Sequence, residues 1–114
     1  VNDVRRAMEA DSCIRMTGLR VDGGAAANNY LRQTMADISN LPVLRPKCLE
    51  TTALGAAYLA GLAVGYWSSP AGVAKNWAVD STFRPNLPAG ERAKRLRGWK
   101  KAVRCAYHWA LDEE

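Results

Sequence analysis

A chain of 114 residues, 48 % hydrophobic and 24 % charged, has the length and balance of one small globular domain, which excludes low-complexity and wholly disordered classes. The formal net charge of +5 raises nucleic-acid binding as a question, while three widely spaced cysteines, Cys13, Cys48 and Cys105, exclude a closed disulfide set and predict a reducing, cytoplasmic setting. The longest apolar run, Ala53 to Trp67, is shorter than a membrane-spanning helix requires, so no membrane span is predicted.

The chain begins without Met and inside a helical pattern, "DVRRAMEAD", ending near Ser12, which predicts that it is a portion of a longer protein. A short strand, "LRVD", follows Gly18. From Gly24 to Leu41, "AAANNYLRQTMADIS" predicts a helix whose Leu31, Thr34, Met35 and Ile38 face a sheet. "PVLRP" reads as a second strand stopped by Pro46, and strand, helix, strand over this distance predicts a parallel crossover.

Thr51 to Gly65 is apolar on nearly every side, with Ala53, Ala57, Gly61 and Gly65 four residues apart. That pattern predicts a buried helix with another element against it. "SSPAG" and "STFRPNLPAG" read as turn-rich connectors. A final helix is predicted from about Glu91 to Leu111, with Leu96, Trp99, Val103, Ala106 or Tyr107, and Ala110 facing inward. Two strands make an incomplete sheet, so exposed edges and association with further strands or with a second copy, a homo-oligomer, are expected.

The chemistry concentrates in "VDGGAAANN". A strand ending in two glycines ahead of a helix presents backbone N–H groups at the positive end of that helix, an arrangement suited to phosphate. Gly23 reaches φ values closed to other residues, Gly24 removes a Cβ from the ligand's approach, and Ala25 and Ala26 keep that approach low. The amides of Asn28 and Asn29 can donate to and accept from a nucleobase or ribose. A tight turn with a local Asn cap explains the same residues without a ligand. Neither the GxGxxG nor the GxxxxGK[ST] pattern is present, so a different phosphate-binding fold is required.

"VDGGAAANNYLRQTMADISNLPV", "RPKCLETTALGAAYLAGLAVGYW" and "FRPNLPAGERAKRLRGWKKAVRCA", in that order, resemble the carboxyl-terminal part of the bacterial glycerol kinases, a branch of the FGGY carbohydrate kinases. The resemblance covers nearly the whole chain. It implies an α/β fold, part of a ribonuclease-H-like (actin-like ATPase) domain, an incomplete sheet with covering helices. It further implies that residues 1–114 are the carboxyl-terminal portion of the second, nucleotide-binding domain of a carbohydrate kinase.

ATP or ADP with Mg²⁺, and glycerol as acceptor, are the ligands implied for the complete enzyme. Nucleotide contacts fall on Gly24 and Asn28, with Gly23 and Ala25 as the adjoining wall. The family's catalytic aspartate lies upstream, so no residue here is assigned catalysis, and the 114 residues alone are expected to be inactive. Asp22 is read as structural support for the turn. A related sugar kinase and a non-catalytic, self-associating module are the alternatives.

In some bacterial glycerol kinases a phosphotransferase-system regulatory protein docks through a zinc ion shared with a glutamate at the place of Glu91. Here "NLPAGERAKRL" keeps the Glu and differs around it, which argues against that partner. Seven basic residues crowd the last helix (Arg92, Lys94, Arg95, Arg97, Lys100, Lys101 and Arg104), but Trp99 and Val103 interrupt them at core spacing. A solvated helix face accounts for the charge without nucleic acid. His108 has no acid or hydroxyl spaced for a triad, and the cysteine spacing fits no structural zinc site.

Overall fold

The computed structural model describes residues 1–107. Helix α1 (Asn2–Ser12) ends where Cys13 turns left-handed, φ 56°. Strand β1 (Leu19–Arg20) leads through the glycines into a 3-10 turn (Gly24–Ala27), then α2 (Asn29–Ser39), which stops at a left-handed Asn40, φ 57°. Strand β2 (Val43–Pro46), helices α3 (Thr51–Ala63) and α4 (Pro70–Ala74), strand β3 (Val79–Phe83) and helix α5 (Ala89–Cys105) complete the order.

The result is an α/β fold with a small, mixed, open sheet in the order β1, β2, β3. The expected parallel pairing is present: Leu19 lies opposite Val43 and Arg20 opposite Leu44. The third strand was not expected. Val79–Phe83 overlaps the start of the connector "STFRPNLPAG" at Ser81–Phe83, and it pairs antiparallel with β2, Phe83 opposite Val43, with an irregularity between Arg45 and Pro46. "SSPAG" is likewise a short helix. Ser69 caps it by accepting from the Gly72 N–H at 3.3 Å, and Pro70 sits in its first turn.

The face of α2 that meets the sheet differs from the expected one. Arg32, Ala36 and Ser39 are the buried residues, whereas Leu31 is exposed and Thr34, Met35 and Ile38 line a groove of about 270 Å³ toward α1 and α5. The two stripes lie side by side on one helix, and apolarity alone does not say which faces the strands. The fully packed apolar core is small: Ala26, Ala36 and Val43.

The expected burial of α3 is not met within the described residues: none of its residues is buried, and Leu59 is 71 % exposed. A Cβ added at Gly55 or Gly65 would meet nothing within 4 Å. Instead the Trp67 ring folds back over Gly61, where an added Cβ would collide with the ring. Gly65, at φ 77°, makes this return possible by closing the helix, with the Tyr66 N–H donating to the Gly61 carbonyl at 2.8 Å.

The inward stripe of α5 is also thinner than expected. Leu96 and Val103 are half-buried, but Trp99 is 55 % exposed and Ala106 and Tyr107 are exposed; Ala110 and Leu111 lie outside the described residues, as does His108. Polar contacts do the anchoring instead. Arg92 donates to the carbonyls of Asp37 (2.8 Å) and Leu87 (3.0 Å), and the Trp99 indole N–H donates to Asp3 at 2.7 Å. With a radius of gyration of 18.6 Å, against about 13 Å for a compact domain of this length, the elements do not close around one centre.

Candidate functional site

The glycine turn hangs from the carboxyl end of β1. The Val21 N–H donates to the Leu44 carbonyl (3.1 Å) and the Gly23 N–H to the Leu49 carbonyl (2.9 Å), so both sides of the turn are tied to β2 and the segment after it. Gly23 adopts φ 79°, ψ 171°, a region open in practice only to glycine. That kink starts the 3-10 turn, closed by the Ala26 N–H on the Gly23 carbonyl at 2.9 Å. The Gly23 N–H is engaged inside the chain, and the N–H groups of Gly24 and Ala25, at the start of the 3-10 turn, have no partner in the helical pattern.

Gly24 stands in open space: a Cβ there would have no heavy atom within 4 Å. Asn28 closes the other end of the turn, its own N–H donating to the Ala25 carbonyl and its side-chain Oδ1 accepting from the Leu31 N–H at 3.1 Å. The amide therefore caps α2 with its oxygen and keeps its NH₂ as a donor. Asn29 turns to the sheet instead, its Oδ1 accepting from Arg45 at 3.2 Å. The turn thus brings the four expected positions, Gly23, Gly24, Ala25 and Asn28, into six consecutive residues spanning one 3-10 turn.

The carboxylate of Asp22 accepts from the hydroxyl of Thr51, joining the end of β1 to the first residue of α3. Asp22 is structural, but its partner is Thr51 on α3 rather than the turn that was expected to hold it, a pairing that local sequence does not reveal. Among the described residues no cluster of three or more His, Cys, Asp or Glu side chains is placed to hold a metal, and all three cysteines are unbonded and exposed. No described helix is long and apolar enough to cross a membrane.

Two further features of the site were not legible. Beneath the turn lies a cavity of about 200 Å³ whose wall includes Arg20, Asp22, Ala25 and Arg32. Across the sheet, Arg45 pairs with Asp80 at 2.5 Å, and the Asp80 carboxyl is held below its ordinary range first by that bond and then by the Ser81 hydroxyl. Residues 1–64 match the carboxyl-terminal domain of the FGGY family of carbohydrate kinases.

The chain belongs to the FGGY family of carbohydrate kinases.

Within the family the likeness runs to glycerol kinases. The glycerol kinase of Agathobacter rectalis is 60 % identical over 113 residues, 99 % of this chain and 23 % of that protein. The crystal structure of Plasmodium falciparum glycerol kinase with ADP superimposes with a TM-score of 0.76 at 32 % identity, over 93 % of this chain and 21 % of that one. A ligand-bound xylulose kinase from Lactobacillus acidophilus shares the fold, with a TM-score of 0.64 at 23 % identity, over 89 % of this chain and 20 % of that one. The chain thus spans less than a quarter of the length of the relatives it matches.

Proposed function

We propose that residues 1–114 are the carboxyl-terminal portion of the nucleotide-binding second domain of an ATP-dependent glycerol kinase, a ribonuclease-H-like, actin-like fold. The protein transfers the terminal phosphoryl group of ATP to glycerol. The observation that carries this reading is the turn itself: a glycine held at φ 79°, followed by a bare Gly24 and a 3-10 start whose first N–H groups have no helical partner, at the carboxyl end of a strand. The glycerol kinase relatives, one solved with ADP, support the choice of nucleotide and acceptor.

Gly24 and Ala25 orient the phosphates through their N–H groups, the low side chains of Ala25 and Ala26 leave room for them, and Asn28 offers its NH₂ to the adenosine end. Mg²⁺ enters with the nucleotide, neutralising phosphate charge. Fixing the phosphoryl group in place is a positioning contribution, and the base that takes the glycerol proton comes from other residues of the protein. The free thiols fit a cytoplasmic setting.

Gly24→Val in the complete enzyme tests the assignment. A Cβ at residue 24 meets nothing in the chain, so the substitution separates ligand from fold. Calorimetry should give ADP binding weaker by at least about tenfold, roughly 1.4 kcal/mol, with glycerol binding and the unfolding midpoint nearly unchanged. Unchanged ADP affinity in the folded variant removes this turn from the nucleotide site.

A further inference from the structure

An aspartate two or three residues ahead of an open backbone N–H is the usual local partner for it, because the carboxylate folds back and takes the donor for itself. Asp22 stands in that relation to both Gly24 and Ala25. The positive end of a helix start adds to the pull on an anion. Yet the 3-10 turn at Gly24 has no side-chain cap. The Asp22 carboxylate accepts from the hydroxyl of Thr51 instead, at the first residue of α3.

A second bond holds the two segments side by side. The Gly23 N–H donates to the Leu49 carbonyl at 2.9 Å, so residues 22 and 23 lie along residues 49 to 51 and Thr51 is brought within reach of Asp22. α3 begins at Thr51 with no side-chain cap of its own, and its positive end also favours a carboxylate. Asp22 therefore stands between two helix starts. The hydroxyl of Thr51 decides which of them it serves.

We propose that Thr51 is a positioning residue for the nucleotide: by engaging the Asp22 carboxylate at the start of α3, it keeps that group off the N–H groups of Gly24 and Ala25 and leaves them for phosphate. The inference rests on the reading of the glycine turn as part of the nucleotide site. Without the hydroxyl, the carboxylate turns onto its own backbone, occupies the donors and sets a negative charge where the phosphates must come. The turn stays folded, with a cap it did not have before, and loses its ligand. A brace that merely stiffened the turn would behave differently, since removing either partner of a brace has the same result.

The experiment is calorimetric titration of the complete protein with ADP across four proteins: the parent, Thr51→Val, Asp22→Ala and the double variant. Thr51→Val keeps the shape of the side chain and removes the donor, and it should weaken ADP binding by about threefold to thirtyfold, the range over which residues outside a site modulate its affinity. Thr51→Ser, which restores a hydroxyl, should recover most of that loss. The double variant should also recover it, because no carboxylate remains to occupy the turn.

Parental ADP affinity in folded Thr51→Val overturns the proposal. So does a double variant that binds as weakly as Thr51→Val, which would make the contact a plain brace. If Thr51→Val does not fold, Thr51→Ala takes its place in the same cycle. Gly24→Val keeps the two readings apart: weak ADP binding there beside parental binding in Thr51→Val overturns the role of Thr51 alone, whereas parental binding in both removes the turn from the nucleotide site.

Discussion

Helices α2 and α3 are close in length, 11 and 13 residues, and they behave in opposite ways. The polar one docks and the apolar one does not. α2 carries Arg32, Gln33 and Asp37 yet sets Ala36 against the sheet, takes a cap from Asn28, and ties the β3–α5 connector through the Asp37 carboxylate, which accepts from the Asn86 N–H at 2.7 Å. Gln33 reinforces it by donating to the Arg84 carbonyl at 2.8 Å. α3 has no polar face and no side-chain cap, and the ring it meets is Trp67, from its own return. Within the described residues, directional bonds and one small residue at the right place fix α2, whereas the apolar surface of α3 meets only Trp67 from its own return.

Substitutions on either side can break this contrast. The largest effect should come from the floor beneath α2: Val43→Asp puts an unpaired carboxylate at a fully enclosed position in the central strand and should cost roughly 3 kcal/mol or more, read by denaturant titration. A stable Val43→Asp protein would mean that α2 is not what seals β2.

Next is the turn that feeds α2. Gly23→Ala forces φ 79°, ψ 171° on a residue with a Cβ and should lower stability by about 1–3 kcal/mol, although the Cβ itself meets no atom. Gly24→Ala is the control. It has neither constraint, and equal losses at the two positions would place the effect in packing rather than in backbone conformation.

On the α3 side the expected change is smaller. Gly61→Ala must displace the Trp67 ring, which sits edge-on to Tyr58 (5.2 Å) and Tyr66 (4.7 Å), and the gain in helix propensity offsets much of that loss. Net stability should move by less than about 1 kcal/mol while acrylamide quenching of tryptophan emission rises. Quenching identical to the parent's would show that Trp67 is not seated on Gly61. The smallest effect belongs to the exposed Glu91–Arg95 pair on α5, 3.4 Å apart: Arg95→Ala should change the midpoint by no more than about 0.5 kcal/mol, and a larger loss would give α5 an electrostatic anchor that the structure assigns to Arg92.

Much of this was open to a reader of the sequence, for local reasons. The extent of α1, the end of α2, the parallel β1–β2 pair and the glycine turn all follow from residues within a few positions of one another, whereas the expected helix from Ala25 begins only at Asn29, after a separate 3-10 turn. β3 was hidden because "VDSTF" is short, half polar, and followed closely by Pro85 and Pro88, which favour turns, and its pairing partners lie some 33 to 40 residues away. The sheet-facing role of Arg32 ran against its charge, and only the helical spacing from Arg32 to Ala36 and Ser39 hinted at it. In the site, the special conformation of Gly23 and the capping by Asn28 were legible, whereas the bonds from Gly23 to Leu49 and from Thr51 to Asp22 join segments that sequence spacing does not bring together.

The position of β2 also sets a clock for the molecule. It is the only described strand bonded along both edges, to β1 on one side and to β3 on the other. Its amide hydrogens at Val43, Leu44 and Arg45 should therefore exchange with solvent only in the rarest openings, while β1 and β3 can each peel away alone. The glycine turn is fastened to this slowest segment and to the stretch that follows it, by Val21 on Leu44 and Gly23 on Leu49. A ligand held at the turn would thus be released by motions of its outer rim, the first residues of α2, long before the backbone beneath it let go.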